Sequence, residues 1–145
     1  MKFDYFKFPL SQKSEFFGSS LLKPIIPAVI TNPHNGKSIK YAALIDSGAD
    51  FCIFDAEIGD YLNIDIKSGQ KEIFGGIQDR GGATAYLHKI EIEIGGWKYK
   101  ATVTFSYDIA ERGYGIFGQK GFFDIFSVKF DYLKEEIELK PINKF

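Results

Sequence analysis

The sequence predicts an all-β, barrel-like domain carrying one or two short helices, and three observations support that prediction. Lys89-Ile90-Glu91-Ile92-Glu93-Ile94 alternates strictly, with isoleucines on one face and charges on the other, which is the period of a half-buried strand. Turn signals recur between apolar runs, at Asn35-Gly36, at Gly95-Gly96 and at the polar reversal Lys134-Glu135. Helical periodicity is scarce throughout the 145 residues, a length that suits one domain with a sizeable core.

Taken in order, residues 1–24 are aromatic but poorly periodic and read as an N-terminal arm or an extra strand ahead of a domain at 25–145. Ile25 to Thr31 and Ile39 to Ile45 flank Asn35-Gly36 as a hairpin. Pro27 has no N–H to donate, which predicts an edge position for the first of these strands. Asp55 to Leu62 predicts a short helix with Asp55 near its start, and Gln119 to Phe126, after Gly118, is the second helix candidate. Beyond Gly95-Gly96, Tyr99, Ala101, Val103 and Phe105 alternate with Lys100, Thr102 and Thr104. Phe126, Val128 and Phe130 repeat the pattern, and a last strand carries Ile137 and Leu139. There is no internal repeat, linker or low-complexity tract.

Composition excludes several classes of function. Hydrophobic content of 45% and aromatic content of 17% exclude a disordered chain. A net charge of -1 with interspersed signs gives no electrostatic footprint for nucleic acid or an anionic membrane. Neither a signal peptide nor a transmembrane span is expected, and the lone Cys52 fits a reducing compartment. A soluble, cytoplasmic protein with no nucleic-acid or membrane partner is expected.

The chemistry-bearing stretch is Ala43-Leu44-Ile45-Asp46-Ser47-Gly48-Ala49. An apolar run ends in a carboxylate, a small hydroxyl residue and a glycine, which places an acid just past a buried strand on a turn that Gly48 tolerates. The Ser47 hydroxyl is suited to fixing that turn. Asp-Ser-Gly alone is common in loops. Here it is joined, in order, by Ile73-Phe74-Gly75-Gly76-Ile77 through Gly81-Gly82-Ala83 and by Gly115-Ile116-Phe117-Gly118-Gln119, two apolar residues and a glycine opening a short helix. Together these segments resemble the retropepsin-like aspartic proteases, and their single-domain bacterial and archaeal members more than the viral ones. The likeness is spread over residues 25 to 141.

What that resemblance implies is a closed retropepsin-like β-barrel, one lobe per chain, acting as an aspartic endopeptidase. Asp46 would be the catalytic acid and base. Ser47, Gly48, Ala49 and Asp50 would form the active-site loop, with Ser47 bonding across a dimer axis, Gly48 accepting substrate backbone, and Asp50 holding a substrate amide or bracing the loop. Phe74, Gly75, Gly76 and Ile77 would belong to the flap, and Ile53, Ile77 and Ile116 to apolar subsites. Phe117, Gly118 and Gln119 would support the loop from below. Aspartic peptidases need two carboxylates sharing one proton. With one Asp-Ser-Gly in the chain, the partners implied are a second copy in a C2 homodimer and a peptide or protein substrate. No cofactor is implied.

Two departures stand out. Many members carry arginine where this chain has Gln119, whose amide can donate to Asp50 but not as a bidentate ion pair. The flap segment is also longer and more polar, through Gln78-Asp79-Arg80. The alternative reading is a non-catalytic dimerisation or peptide-binding module on the same fold. Other chemistries are weaker. Gly75-Gly76 and Gly81-Gly82 lack the Lys-Ser/Thr of a phosphate loop. Cys52 lies in a strand-like run and reads as a buried structural cysteine. His34 and His88 lack ligand spacing, so no metal site is expected. Glu91 and Glu93 read as the solvated face of a strand.

Overall fold

In the computed structural model, which describes residues 1–75 and 82–142, the described residues form twelve strands and one short α-helix. In chain order the strands are β1 (Lys2–Asp4), β2 (Phe6–Ser14), β3 (Gly18–Lys23), β4 (Ile25–Thr31), β5 (Ser38–Ile45) and β6 (Ile53–Asp55). After α1 (Ala56–Tyr61) come β7 (Lys71–Phe74), β8 (Ala83–Ile94), β9 (Trp97–Ser106), β10 (Gly115–Phe117), β11 (Phe126–Asp131) and β12 (Glu136–Pro141). Ile66–Ser68 and Tyr107–Arg112 form 3-10 turns that periodicity does not disclose. No helix among the described residues is long and apolar enough to cross a membrane.

The main ladder runs β4-β5-β10-β6-β9-β8 and then returns from β8 to β4, so its hydrogen bonding closes on itself. β8 makes this possible by changing neighbours along one side. Its start pairs with β7, from Lys71↔Tyr86 to Phe74↔Ala83, and its end pairs with β4 at Val29↔Glu93, Ile30↔Ile92 and Thr31↔Glu91. Pro27 sits below that second seam, paired only to Ala42 of β5. β4 is therefore an edge at the proline and an interior strand two residues later, which reconciles the missing N–H with a closed ladder.

Residues 1–24 contribute in two ways. β1 pairs with β12, which pairs with β11, in a separate three-stranded sheet. β2 and β3 form a two-stranded hairpin of their own. At its tip Phe16 is 87% exposed and Phe17 57%.

The isoleucine face of β8 (Ile90, Ile92, Ile94) packs into one core with Ile26, Ile30, Phe54, Val103, Phe105, Phe117, Phe122, Phe126, Ile137 and Leu139. Each such side chain contributes about 1.5–3 kcal/mol on full burial. Phe117 stacks on Phe122 at 4.5 Å, and Phe54 meets Phe117 and Phe105 edge-on at 5.8 and 6.0 Å. The expected alternation fades in two places. Thr104 and Ser106, on the polar face of β9, are buried as well, with their hydroxyls bonded to the Cys52 and Thr84 carbonyls. Phe130 on β11 is exposed.

The first helix candidate forms, with Asp55 as its N-cap accepting from the Glu57 amide at 2.9 Å. The second, Gln119 to Phe126, does not. Residues 119–125 are turns and a bridge, because Gly121 takes a φ of +96°, which no helix accommodates. The Asp124 carboxylate instead caps the Gly121 amide at 2.9 Å.

Candidate active site

Asp46 follows directly on the buried Ile45 at the end of β5. The backbone of this junction is pinned from both sides. The Ile45 amide donates to the Pro24 carbonyl at 2.9 Å, and the Asp46 amide to the Phe117 carbonyl at 3.0 Å. The turn is then closed by Asp46 itself. Its Oδ1 accepts from the Gly48 amide at 2.9 Å and its carbonyl from the Ala49 amide at 3.2 Å. The sequence points to Ser47 as the residue that fixes this turn, but its hydroxyl has no hydrogen-bond partner among the described residues and stands exposed. The aspartate is the better placed acceptor, since its side chain reaches two residues on in the manner of an Asx turn. Oδ2 of Asp46 is left without a partner among the described residues, on a half-buried side chain.

Gly48 is needed for space rather than for an unusual φ. A Cβ there would stand 3.2 Å from Asp46 Oδ1, crowding the carboxylate it holds. Gly118 is tighter still. A Cβ would stand 2.8 Å from the Ala49 carbonyl oxygen and collide with the Phe51 carbonyl.

That close approach reflects how the loop is held. β10 wedges between β5 and β6, parallel to the first (Ile116↔Leu44, Phe117↔Ile45) and antiparallel to the second (Ile116↔Ile53). The loop from 46 to 52 must therefore arch over β10, and the residues after β10 tie it down. The Gln119 amide donates to the Ala49 carbonyl at 2.8 Å and the Lys120 amide to the Asp50 carbonyl at 3.0 Å. The Gln119 side chain donates to the Ser47 carbonyl, not to Asp50 as its position suggests. Asp50 is exposed and its carboxylate has no partner among the described residues.

Beneath the loop, Cys52 is fully buried. Burial pushes its thiol up to about 12, so it is neutral at ordinary pH and no nucleophile. Its Sγ lies 3.4 Å from the Lys120 carbonyl and accepts from the Gly118 amide at 3.4 Å. Thr104 joins this support although no motif marks it. Its hydroxyl donates to the Cys52 carbonyl at 2.7 Å from a wholly buried position. In the sequence it is only a threonine on the polar side of an alternating strand, which is an ordinary surface pattern.

Ile53 and Ile116, the expected subsite residues, face each other across β6 and β10 and are only 5% and 7% exposed. They form a small cluster with Ile109, flanked by Ala49, Phe51 and Phe74. Phe74, at the end of β7, meets Phe51 edge-on with centroids 6.1 Å apart, so the predicted flap segment leans on the predicted catalytic loop. Gly75 has open space around it. Gly76 and Ile77 lie outside the described residues. Asp108, another residue unmarked by any motif, accepts from the Thr84 amide at 2.9 Å and anchors the start of β8. Among the described residues no three His, Cys, Asp or Glu side chains group to hold a metal.

No protein-family model matches this sequence, and no curated protein is similar to it at the sequence level. Among solved structures, the chain is similar to a retropepsin-like aspartic protease from Rickettsia conorii, with a TM-score of 0.59 and 13% identity over 94% of this chain and 97% of that one. EIAV protease complexed with the inhibitor HBY-793 matches with a TM-score of 0.44 and 18% identity over 67% of this chain and 82% of that one. The fold is thus retropepsin-like.

Proposed function

We propose that the protein is a homodimeric aspartic endopeptidase in which two Asp46 carboxylates, one per subunit, activate a water for attack on a peptide bond. The observation that carries this reading is the Asp46 turn. Its backbone is fixed by Phe117 and one carboxylate oxygen by Gly48, while the other oxygen is left unpartnered among the described residues. A purely structural turn acid has no need of that arrangement within a retropepsin-like fold.

In the reaction proposed, the two carboxylates hold one proton between them, because like charges at close range cannot both ionise. The ionised member takes a proton from water as general base. The protonated member gives its proton to the carbonyl oxygen of the scissile bond. Gly48 and the flap would hold the substrate extended by strand-like pairing, with Ile53, Ile77 and Ile116 beside its side chains. Ser47, exposed at the tip of the loop, would bond its counterpart across the axis. The buried, unpaired thiol of Cys52 supports a cytoplasmic setting.

A second reading, a non-catalytic dimerisation or peptide-binding module, draws on Gln119. Its amide serves the Ser47 carbonyl, and Asp50 has no cationic partner among the described residues.

The test is cleavage of a diverse peptide mixture from about pH 4 to 7, spanning the carboxylate to neutral range, with Asp46→Asn as control and sedimentation on both proteins. Cleavage by the parent alone, by a dimer, establishes the peptidase. A folded dimer that cleaves nothing points to the module. A monomer at micromolar concentration removes the shared dyad altogether.

A further inference from the structure

One apolar groove among the described residues does not touch Asp46. It encloses about 480 Å3 between the arm and the body, lined by Phe6, Phe8, Pro27, Ala42 and Tyr114 with Arg112 at its rim. Strand geometry nevertheless ties it to the candidate active site. Side chains alternate along β5, so Ala42, Leu44 and Asp46 leave one face, opposite the buried Ala43 and Ile45. Register carries that face onto the neighbours. Ile25 stands beside Leu44 and Pro27 beside Ala42 on β4, Ile116 stands beside Leu44 on β10, and Tyr114 precedes the Gly115↔Ala43 pair. The groove therefore continues the surface that bears Asp46, four residues of strand away, or about 13 Å.

The arm supplies the outer wall. Phe6 and Phe8 lie on one face of β2, and Lys23 of β3 bridges arm and body, its Nζ 4.6 Å from the Phe8 ring centroid and 5.8 Å from that of Tyr114. Among the described residues neither Lys23 nor Arg112 makes an ion pair. An apolar slot edged by two cations that lack a carboxylate partner among the described residues favours an apolar side chain next to an acidic one.

We propose that this groove is an extended substrate subsite, in which the N-terminal hairpin selects a peptide carrying an aromatic or large aliphatic residue about four positions from the scissile bond, beside an acidic residue. The inference rests on the peptidase reading for the chemical step after binding, but not for binding itself. An extended peptide advances about 3.4 Å per residue, so one lying along the β5 face would bring its fourth residue from the reacting bond to the groove. A C2 dimer would carry two such grooves, one per subunit.

The test separates recognition from catalysis. The full-length, 15N-labelled protein is titrated with an unstructured alanine–serine peptide carrying one Phe-Glu pair, and with the same peptide carrying Ser-Ser. Amide shifts at Phe8, Ala42, Gly113 and Tyr114 are expected with the first peptide, and binding about tenfold weaker with the second, the worth of burying part of a phenyl ring. In Phe8→Ser, or in Tyr114→Ala should the arm variant lose its dispersed spectrum, that difference disappears. Equal binding of the two peptides, or shifts that leave the groove silent, overturns the proposal. In parallel, the cleavage sites of the parent protein are aligned. Apolar-acidic enrichment about four positions from the cut supports the subsite, and an even distribution there refutes its role in selection. Groove binding with no cleavage of any peptide leaves the recognition intact and removes the peptidase reading.

Discussion

Gly118→Ala tests the whole account of how the Asp46 loop is held. The added methyl would sit 2.8 Å from the Ala49 carbonyl oxygen and closer still to the Phe51 carbonyl. Both neighbours are backbone, so no rotamer change relieves the contact. Forcing a methyl into such a space costs about 1–3 kcal/mol. Relief would come from lifting the loop, which strains the Gln119 and Lys120 amide bonds to Ala49 and Asp50, at about 1 kcal/mol each. A total of about 4 kcal/mol is a large share of a domain's 5–15. With an unfolding entropy of about 0.3 kcal/mol/K for 145 residues, the melting temperature should fall by about 13 °C. Calorimetry on the parent, on Gly118→Ala and on Gly75→Ala provides the comparison. Gly75 has open space around it among the described residues and no positive φ, so that variant should stay within about 0.5 kcal/mol of the parent. A Gly118→Ala protein melting within about 2 °C of the parent would refute the close packing of β10 beneath the loop.

Three further outcomes are expected. Gln119→Ala removes the donor to the Ser47 carbonyl and should cost about 1 kcal/mol, with amide exchange at Gly48 and Ala49 accelerating while the core strands stay protected; unchanged exchange would show that the loop does not depend on that bond. Cys52 is held as a neutral thiol with its pKa pushed from 9.0 to about 12 by burial. The unfolded chain ionises first, so stability should be undiminished below pH 9 and fall between pH 9 and about 12, by up to about 1.4 kcal/mol per pH unit. Native protein should accordingly resist a thiol reagent at pH near 8 and react on unfolding, and rapid native reaction would contradict the burial. Asp55→Ala deletes the acceptor of the Glu57 amide and should lower stability by about 1 kcal/mol in urea titration; no change in midpoint would mean that α1 is held by packing alone.

Much of this architecture is legible because local and global signals agree. The isoleucine alternation of Lys89 to Ile94 needs one buried face and finds it in the core, and Asn35-Gly36 and Gly95-Gly96 close the hairpins they announce. Asp55 caps the helix it is expected to start. The misses share a cause, which is that side-chain period says nothing about long-range contact. Gln119 to Phe126, after Gly118, reads as a helix candidate, but one positive φ at Gly121 turns it aside. Thr104 and Asp108 look like surface residues until the Cys52 carbonyl takes the hydroxyl of one and the Thr84 amide finds the other. The partner of the Gln119 amide depends on loop curvature that no spacing encodes. Ser47 reads as the turn-former because a hydroxyl can serve, whereas Asp46 already does so. Residues 1–24 lack a period because they divide between two sheets, with β1 on β12 and β2 on β3.

The wedge of β10 between β5 and β6 also bears on how the protein comes into being. Gly115 pairs with Ala43, so the Asp46 loop has no floor until the strand that supplies it has been synthesised and has threaded home. Pairings of such sequence separation make folding slow, since loop closure must precede any gain from contact. During synthesis at about 5–20 residues per second, several seconds separate emergence of the acidic loop from emergence of its support. Throughout that interval the nascent chain carries Asp46 on an unorganised segment. A truncated or stalled product would possess the motif and lack the site.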